Sequence, residues 1–322
     1  MSAENPPGLA LGIDAGGTQT RWALADRSGA IVAEGAVAGF SAVQMQSPDG
    51  RAAISAALAV LAAAARAAGP LAGAHAGVTG FEAAGQSGGA GPAGRASELP
   101  ALMQQSFGGV RLCITSDIEL ACRAAFEPGG GYLVYAGTGS IAAYVDAVGV
   151  MHRAGGRGGL LDDGGSGYWI AREALRRTWR REDQTPGAWQ RSALACTLFE
   201  HLGGSDWATT RRWLYSASRG EIGGAAVAVA AAASAGDAEA KTILAEAGQE
   251  LARLALALVH RHGPRPVALA GRVFDLHAGV EAGLRAALPV TVRADTSLRR
   301  VTLAAHVTAA RLALDARPST QP

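Results

Sequence analysis

The chain has 322 residues, 49% of them hydrophobic, and a formal net charge of +2. That length supplies two cores of about 150 residues each, and the near-neutral charge gives no global field for nucleic acid. Cys113, Cys122 and Cys196 are widely spaced with no C-x-x-C pattern, which argues against cysteine-rich zinc or iron–sulfur sites and fits reduced thiols. The opening MSAENPPGLALG has no basic segment followed by a long apolar core, and the alanine-rich runs make poor membrane spans. The expectation is a cytoplasmic protein with neither nucleic acid nor membrane as partner.

LALGIDAGG, TRWALAD and AIVAEGAVA read as three strands of an antiparallel meander, turning at Gly16–Gly17 and Ser28–Gly29. Residues 49–68 read as an alanine-rich helix capped by Asp49 and ended by Gly69–Pro70. GAHAGVTG is a buried strand, residues 82–98 a long glycine-rich loop, VRLCIT a strand, and DIELACRAAF a helix directly after it. GYLVYAG, SIAAYVDA and GVMHRAGG then repeat the three-strand opening, a duplication of shape without duplication of sequence. Helices are expected near 166–181, 189–201, 221–234 and 237–261, strands at RPVALAG and PVTVRA, and a terminal helix over 299–315. The basic run REALRRTWRR reads as a solvated helix face or a subunit contact, and HRH at 260–262 as the cationic end of a long helix.

A phosphate needs backbone N–H donors, close approach and little side-chain bulk, and glycines in a strand–turn–strand supply all three. DAGGT (14–18) is one such turn and GTGS (137–140) a second, each opening one half of the chain. A tight hairpin explains either alone; the pair suggests two loops gripping a polyphosphate. Asp14 suits magnesium, usually through water, or a turn residue bonding its own backbone. Asp117, at a strand's end and a helix's start, reads as an N-cap, a general base, or both. In GGRGGLLDDGGSGYWI, the adjacent Asp162 and Asp163 beside glycines suit sugar hydroxyls or form a solvated acid pair, and Ser166 caps the following helix. No G-x-x-x-x-G-K-[ST] phosphate loop occurs.

GIDAGGTQTR, AGVTG, SDIELA, YAGTGS, GGRGGLLDDGGSGYWI and ALAGRVF, in this order and spacing, resemble the N-acetylglucosamine kinase branch of the sugar kinase, Hsp70 and actin superfamily. That branch also holds ATPase subunits and activators of benzoyl-CoA reductases and hydroxyacyl-CoA dehydratases. The resemblance runs from about residue 10 to about 315. It implies an α/β, actin-like ATPase fold of two ribonuclease H-like domains around a central cleft. The domains would be 1–122 and 123–298, with the terminal helix 299–318 packing back on the first. It implies ATP and Mg²⁺ as cofactors, an amino sugar as substrate, and a homodimer. By the resemblance Asp14, Gly16, Gly17 and Thr18 hold Mg-ATP, and so do Gly137, Thr138, Gly139 and Ser140. Gly271 lies near the adenosine, Asp117 is the catalytic aspartate, and Ser41, Gly156, Arg157 and Asp163 join Asp117 at the sugar.

Four positions depart from the family's pattern. Arg157 stands for a tryptophan, Gly164 for a glutamate, and Arg272 for the second glycine of the adenosine element, while the sugar loop near residue 40 reads GFSAV and lacks its asparagine. The matching motifs, and not these departures, carry what the resemblance implies: phosphorylation of N-acetylglucosamine or glucosamine at the 6-hydroxyl. A non-catalytic sugar or nucleotide sensor and an ATPase activator of a radical reductase or dehydratase are the alternatives.

Overall fold

The computed structural model describes residues 8–82, 98–290 and 297–315. The chain divides into two compact units: Met1–Gly129, Val145–Met151 and Leu303–Pro322 form unit 1, and Gly130–Tyr144 and His152–Thr302 form unit 2. The expected glycine-rich loop falls almost wholly outside the described residues.

In unit 1, β1 (Leu9–Ala15), β2 (Gln19–Ala25) and β3 (Ile31–Ala38) form the antiparallel meander. β4 (Leu71–Val78) and β5 (Arg111–Ser116) extend the sheet parallel to β1, in the order β3-β2-β1-β4-β5. Leu11, Ile13 and Leu24 are fully buried between the layers, each side chain contributing about 1.5–3 kcal/mol of burial.

Three helices follow in chain order: α1 (Pro48–Ala68), α2 (Leu99–Ser106) and α3 (Asp117–Ala125). Asp49 does not cap α1. Ser47 does, its hydroxyl accepting from the Gly50 amide at 3.0 Å, because Pro48 occupies the first helical position and fixes the start there. α1 is long and apolar enough to cross a bilayer by length and composition, but its Ile54, Leu58, Leu61 and Ala65 row is buried in the core of unit 1. The terminal helix spans Ala305–Asp315 and lies across β1. Its backbone comes so close that a Cβ on Gly12 would stand 2.1 Å from the His306 carbonyl.

Unit 2 repeats the sheet. β6 (Tyr132–Ala136), β7 (Ser140–Val145) and β8 (Met151–Gly155) open it, and β9 (Val267–Ala270) and β10 (Leu298–Arg300) complete the order β10-β9-β6-β7-β8. Between β8 and β9 run α4 (Gly167–Gln184), α5 (Ala193–Leu202), α6 (Trp207–Ser216), α7 (Arg219–Gly224), α8 (Ala226–Ser234) and α9 (Ala238–His262). α10 (Val273–Leu276) and α11 (Ala278–Ala287) follow β9.

The expected helix over 189–201 is a 3-10 turn, Ala188–Arg191, and then α5, separated by Ser192, which caps α5 through the Ala195 amide. The expected helix over 221–234 breaks at Ala225 into α7 and α8. The terminal helix begins at Ala305 rather than 299, because Leu298–Arg300 pairs in parallel with Val267–Leu269. Most of PVTVRA lies outside the described residues. The basic face of α4 is paired within the chain: Arg176 with Glu173, Arg177 with Glu246, and Arg181 with Glu239.

Candidate active site

Parallel pairing of β1, β4 and β5 brings their carboxyl ends to one edge of the unit 1 sheet. Asp14 registers with Gly77 on β4, and Val78 with Ser116 on β5. Asp14, Thr79 and Asp117 therefore share that edge. The Thr79 hydroxyl lies 2.7 Å from Asp117 Oδ2 and 3.0 Å from the Ala15 carbonyl, and its one proton serves either acceptor. Asp117 Oδ1 accepts from the Ile118 amide at 2.8 Å.

Asp117 is not the cap of α3. Ser116 is, accepting from the Glu119 amide at 3.2 Å, and Asp117 is the first helical residue. Burial, then repulsion from Asp117, pushes the Asp14 carboxyl up to about 6, against a smaller pull from Arg21. Burial also raises Asp117, opposed by its hydrogen bonds from Thr79 and Ile118. Two half-buried carboxylates thus stand close enough for Asp117 to repel the Asp14 charge more strongly than Arg21 attracts it.

The Gly16–Thr18 turn adjoins Asp14 in the chain. Gly16 donates to the Gln19 carbonyl at 3.2 Å, and Gly17 and Thr18 are exposed. A Cβ on Gly17 would meet nothing within 4 Å, so packing does not require that residue to be bare. Gly39, which the sequence did not mark, backs the turn: a Cβ there would lie 2.4 Å from the Thr18 carbonyl carbon. The Ala42 amide donates to the Thr79 carbonyl at 2.9 Å, which ties the Ser41 segment to the same strand end as Asp117.

In unit 2 the Gly137–Ser140 turn is latched to α4. The Gly137 and Thr138 carbonyls accept from the Gly167 and Tyr168 amides at 2.8 and 3.3 Å. A trans peptide sets N–H opposite C=O, so the Thr138 and Gly139 amides face away from α4. No backbone carbonyl among the described residues takes them. Gly156 donates to the Ser140 carbonyl at 3.0 Å, and Ser140 Oγ donates to the Gly164 carbonyl at 2.7 Å. Gly271 ends β9 with a φ of 102°, and a Cβ there would lie 2.2 Å from the Ala136 carbonyl oxygen beside the turn. Arg157 and Arg272 are exposed.

Asp163 is 2% exposed and adopts φ 55°, the one positive φ among described non-glycine residues. Its Oδ1 accepts from the Gly158 amide at 3.2 Å and its Oδ2 pairs with Arg219 of α7. Arg219 was not legible in the sequence as a site residue: SASRGEIGG carries only the S-x-x-E capping box of Ser218 and Glu221, which marks a helix start, and Arg219 is 56 positions from Asp163. A Cβ on Gly164 would stand 2.7 Å from Glu250 Oε2 of α9, so the acid absent at 164 is matched by one arriving from another element. Glu250 pairs with Arg253, which also pairs with Asp162 at 3.2 Å.

The model of the BadF/BadG/BcrA/BcrD ATPase family matches residues 11–288, most of the chain and both glycine turns. The chain belongs to that family. No curated protein matches it. Among solved structures, this BadF/BadG/BcrA/BcrD family member is similar to a candidate N-acetylglucosamine kinase from Chromobacterium violaceum, at 26% identity and TM-score 0.68, over 95% of this chain and 98% of that one. A second candidate N-acetylglucosamine kinase, from Porphyromonas gingivalis, is 18% identical with TM-score 0.68 over 95% and 99%. A ROK family glucokinase from Streptomyces griseus, solved with glucose and AMPPNP, is 19% identical with TM-score 0.59 over 96% and 100%. The fold is that of the actin-like sugar kinases, and the two units are its duplicated α/β halves.

Proposed function

We propose that this ATPase-family member transfers the terminal phosphate of ATP to an amino sugar, with N-acetylglucosamine or glucosamine as substrate. The observation that carries the reading is the Asp14–Asp117 pair, two half-buried carboxylates at the carboxyl edge of parallel strands, beside a turn whose bare Gly17 no packing requires. Ligands of open α/β sheets bind at that edge. The 26% identical candidate N-acetylglucosamine kinase supports the choice of sugar.

Asp117 accepts the proton of the attacking hydroxyl, and Thr79 orients it. Asp14 and Asp117, two carboxylates side by side, fit magnesium: Asp14 would hold the ion, usually through water, and the ion would supply charge neutralisation at the phosphates. The Gly16, Gly17 and Thr18 turn on unit 1 and the Gly137, Thr138, Gly139 and Ser140 turn on unit 2 each offer backbone amides to phosphate oxygens. Gly271 leaves room for the adenosine. Ser41, Gly156, Arg157 and Asp163 serve the sugar, and Asp163 does so while also holding Arg219 and the Gly158 amide.

The test is ADP release by purified protein with magnesium and ATP, in arms with N-acetylglucosamine, glucosamine, glucose and no sugar, for wild type and Asp117→Asn. Sugar-dependent release that disappears in the variant supports the kinase. Equal release with and without sugar supports an ATPase activator instead. Binding of sugar or nucleotide without any release supports a sensor.

A further inference from the structure

We propose that Arg219 binds a phosphoryl group at the Gly137–Ser140 turn, and that Asp163 is the residue that holds it there. The inference deepens the kinase reading of the same turn and rests on it. Arg219 begins α7, whose N-cap Ser218 accepts from the Glu221 amide at 3.3 Å. Its guanidinium crosses to the turn: a Cβ on Gly139 would stand 2.6 Å from Arg219 Nη2 and 2.9 Å from Asp163 Oδ2. Gly139 is thus bare because a cation and its carboxylate press against the backbone there.

A guanidinium carries five N–H donors in a planar fork. Asp163 is its sole hydrogen-bond partner among the described residues, and the side chain is half-exposed. The guanidinium reaches the turn at Gly139, and the Thr138 and Gly139 amides of that turn also lack backbone acceptors among the described residues. Unpartnered donors of two kinds, charged and backbone, therefore meet at one turn. Such a set suits a terminal phosphate of a nucleoside di- or triphosphate, which offers several acceptor oxygens and accepts bidentate bonds from arginine.

Asp163 is built as an anchor. Its backbone sits in the left-handed region, which aspartate tolerates better than most side chains, and its carboxylate is almost fully buried. The Gly158 amide bonds its Oδ1, and Ser140 Oγ ties the next residue, Gly164, to the turn. The turn, the acid and the cation form one connected unit. Arg157, the cation the sequence placed in this region, is exposed and has no ion pair among the described residues to hold it in place.

The experiment measures affinity for ADP with magnesium, adenosine, and inorganic tripolyphosphate by calorimetry. The proteins are wild type, Arg219→Lys, and the double variant Asp163→Asn with Arg219→Gln, which removes both charges together rather than stranding the buried Asp163 carboxylate. The double variant is expected to lose about 10- to 150-fold for ADP and tripolyphosphate, the usual worth of a charged hydrogen bond, with adenosine unchanged. Arg219→Lys keeps a charge opposite Asp163 but not the fork, and a smaller loss confined to the phosphate ligands is expected. It carries the test if the double variant does not fold. A merely structural role would move adenosine as much as ADP, and that result overturns the proposal. So does an unchanged ADP-to-adenosine ratio in whichever variant folds, while wild-type binding leaves the kinase reading standing. A wild type that binds none of the three ligands overturns the nucleotide reading and this inference together.

Discussion

Thr79 Oγ1 lies 2.7 Å from Asp117 Oδ2, although 38 residues separate them in the chain. The contact exists because β4 and β5 run parallel and end at one level, so the residue after one strand meets the residue after the other. It gives a half-buried carboxylate a fixed direction without neutralising it. Removing the acid and removing its orienting hydroxyl should therefore have separable consequences.

Asp117→Asn is expected to lose about 10²–10⁴ in turnover, the usual range for a missing general base, with nucleotide affinity preserved. The helix should not suffer, since Ser116 holds the cap. Ser116→Ala is the complementary change and should cost about 1 kcal/mol of stability. Turnover near wild type in Asp117→Asn would remove the base assignment. Thr79→Val should lower kcat by roughly tenfold or more, the worth of one hydrogen bond to a charged group, with a smaller effect on KM.

Gly17→Ala is expected to leave stability within about 0.5 kcal/mol of wild type, as an exposed substitution in open space should. Nucleotide affinity should fall, since a methyl group would occupy the approach to the turn's amides. Thermal melts and nucleotide titrations on the same preparation check both halves. A variant that binds nucleotide as wild type does shows that the Gly17 approach is not used.

The parts of this molecule written in local periods were legible in its sequence. Both meanders are short apolar runs punctuated by glycine turns, and Ser166 precedes α4 as its cap. Asp14 and Asp117 stood out because each ends an apolar strand. What escaped depends on partners distant in the chain. Leu298–Arg300 is a strand only because β9 accepts it, so its residues read as the start of a helix. Arg219 and Glu250 reach the site from α7 and α9 as side chains of ordinary surface type, with no spacing to mark them. The cap of α1 was misplaced by two residues: Pro48 at the first helical position signals Ser47, and the acid at 49 drew the assignment instead.

His75 gives a pH dependence with a definite sign. It is buried in β4 beside Thr115, and burial, then repulsion from Arg123, pushes it down to about 4 from 6.5. Between these values the unfolded chain binds a proton that the folded chain does not. Stability from this group is fully present above pH 6.5 and is lost as pH falls toward about 4, by about 3 kcal/mol in all. Asp14 and Asp117 run the other way, because their raised values make the folded state the better proton binder as pH falls. The readout is therefore the difference between wild type and His75→Gln in urea unfolding at pH 4 and pH 7. A difference that does not change with pH would show that His75 is not held neutral.

The last prediction concerns Gly164 and Glu250. The resemblance places a glutamate at 164, and its absence there reads as a lost negative charge. The structure instead puts Glu250 Oε2 2.7 Å from where a Cβ on Gly164 would begin. The acid is displaced to another helix, with Arg253 bridging Glu250 to Asp162. Gly164→Glu in the wild-type background should destabilise by about 1–3 kcal/mol, since it adds bulk and a like charge to an occupied place. Glu250→Ala should restore much of that loss, because the two acids compete for one position. Residues in contact typically couple by 0.5–3 kcal/mol, so the four melts of a double-mutant cycle resolve the effect. Strict additivity of the two changes would show that Glu250 does not occupy the place a glutamate at 164 would take.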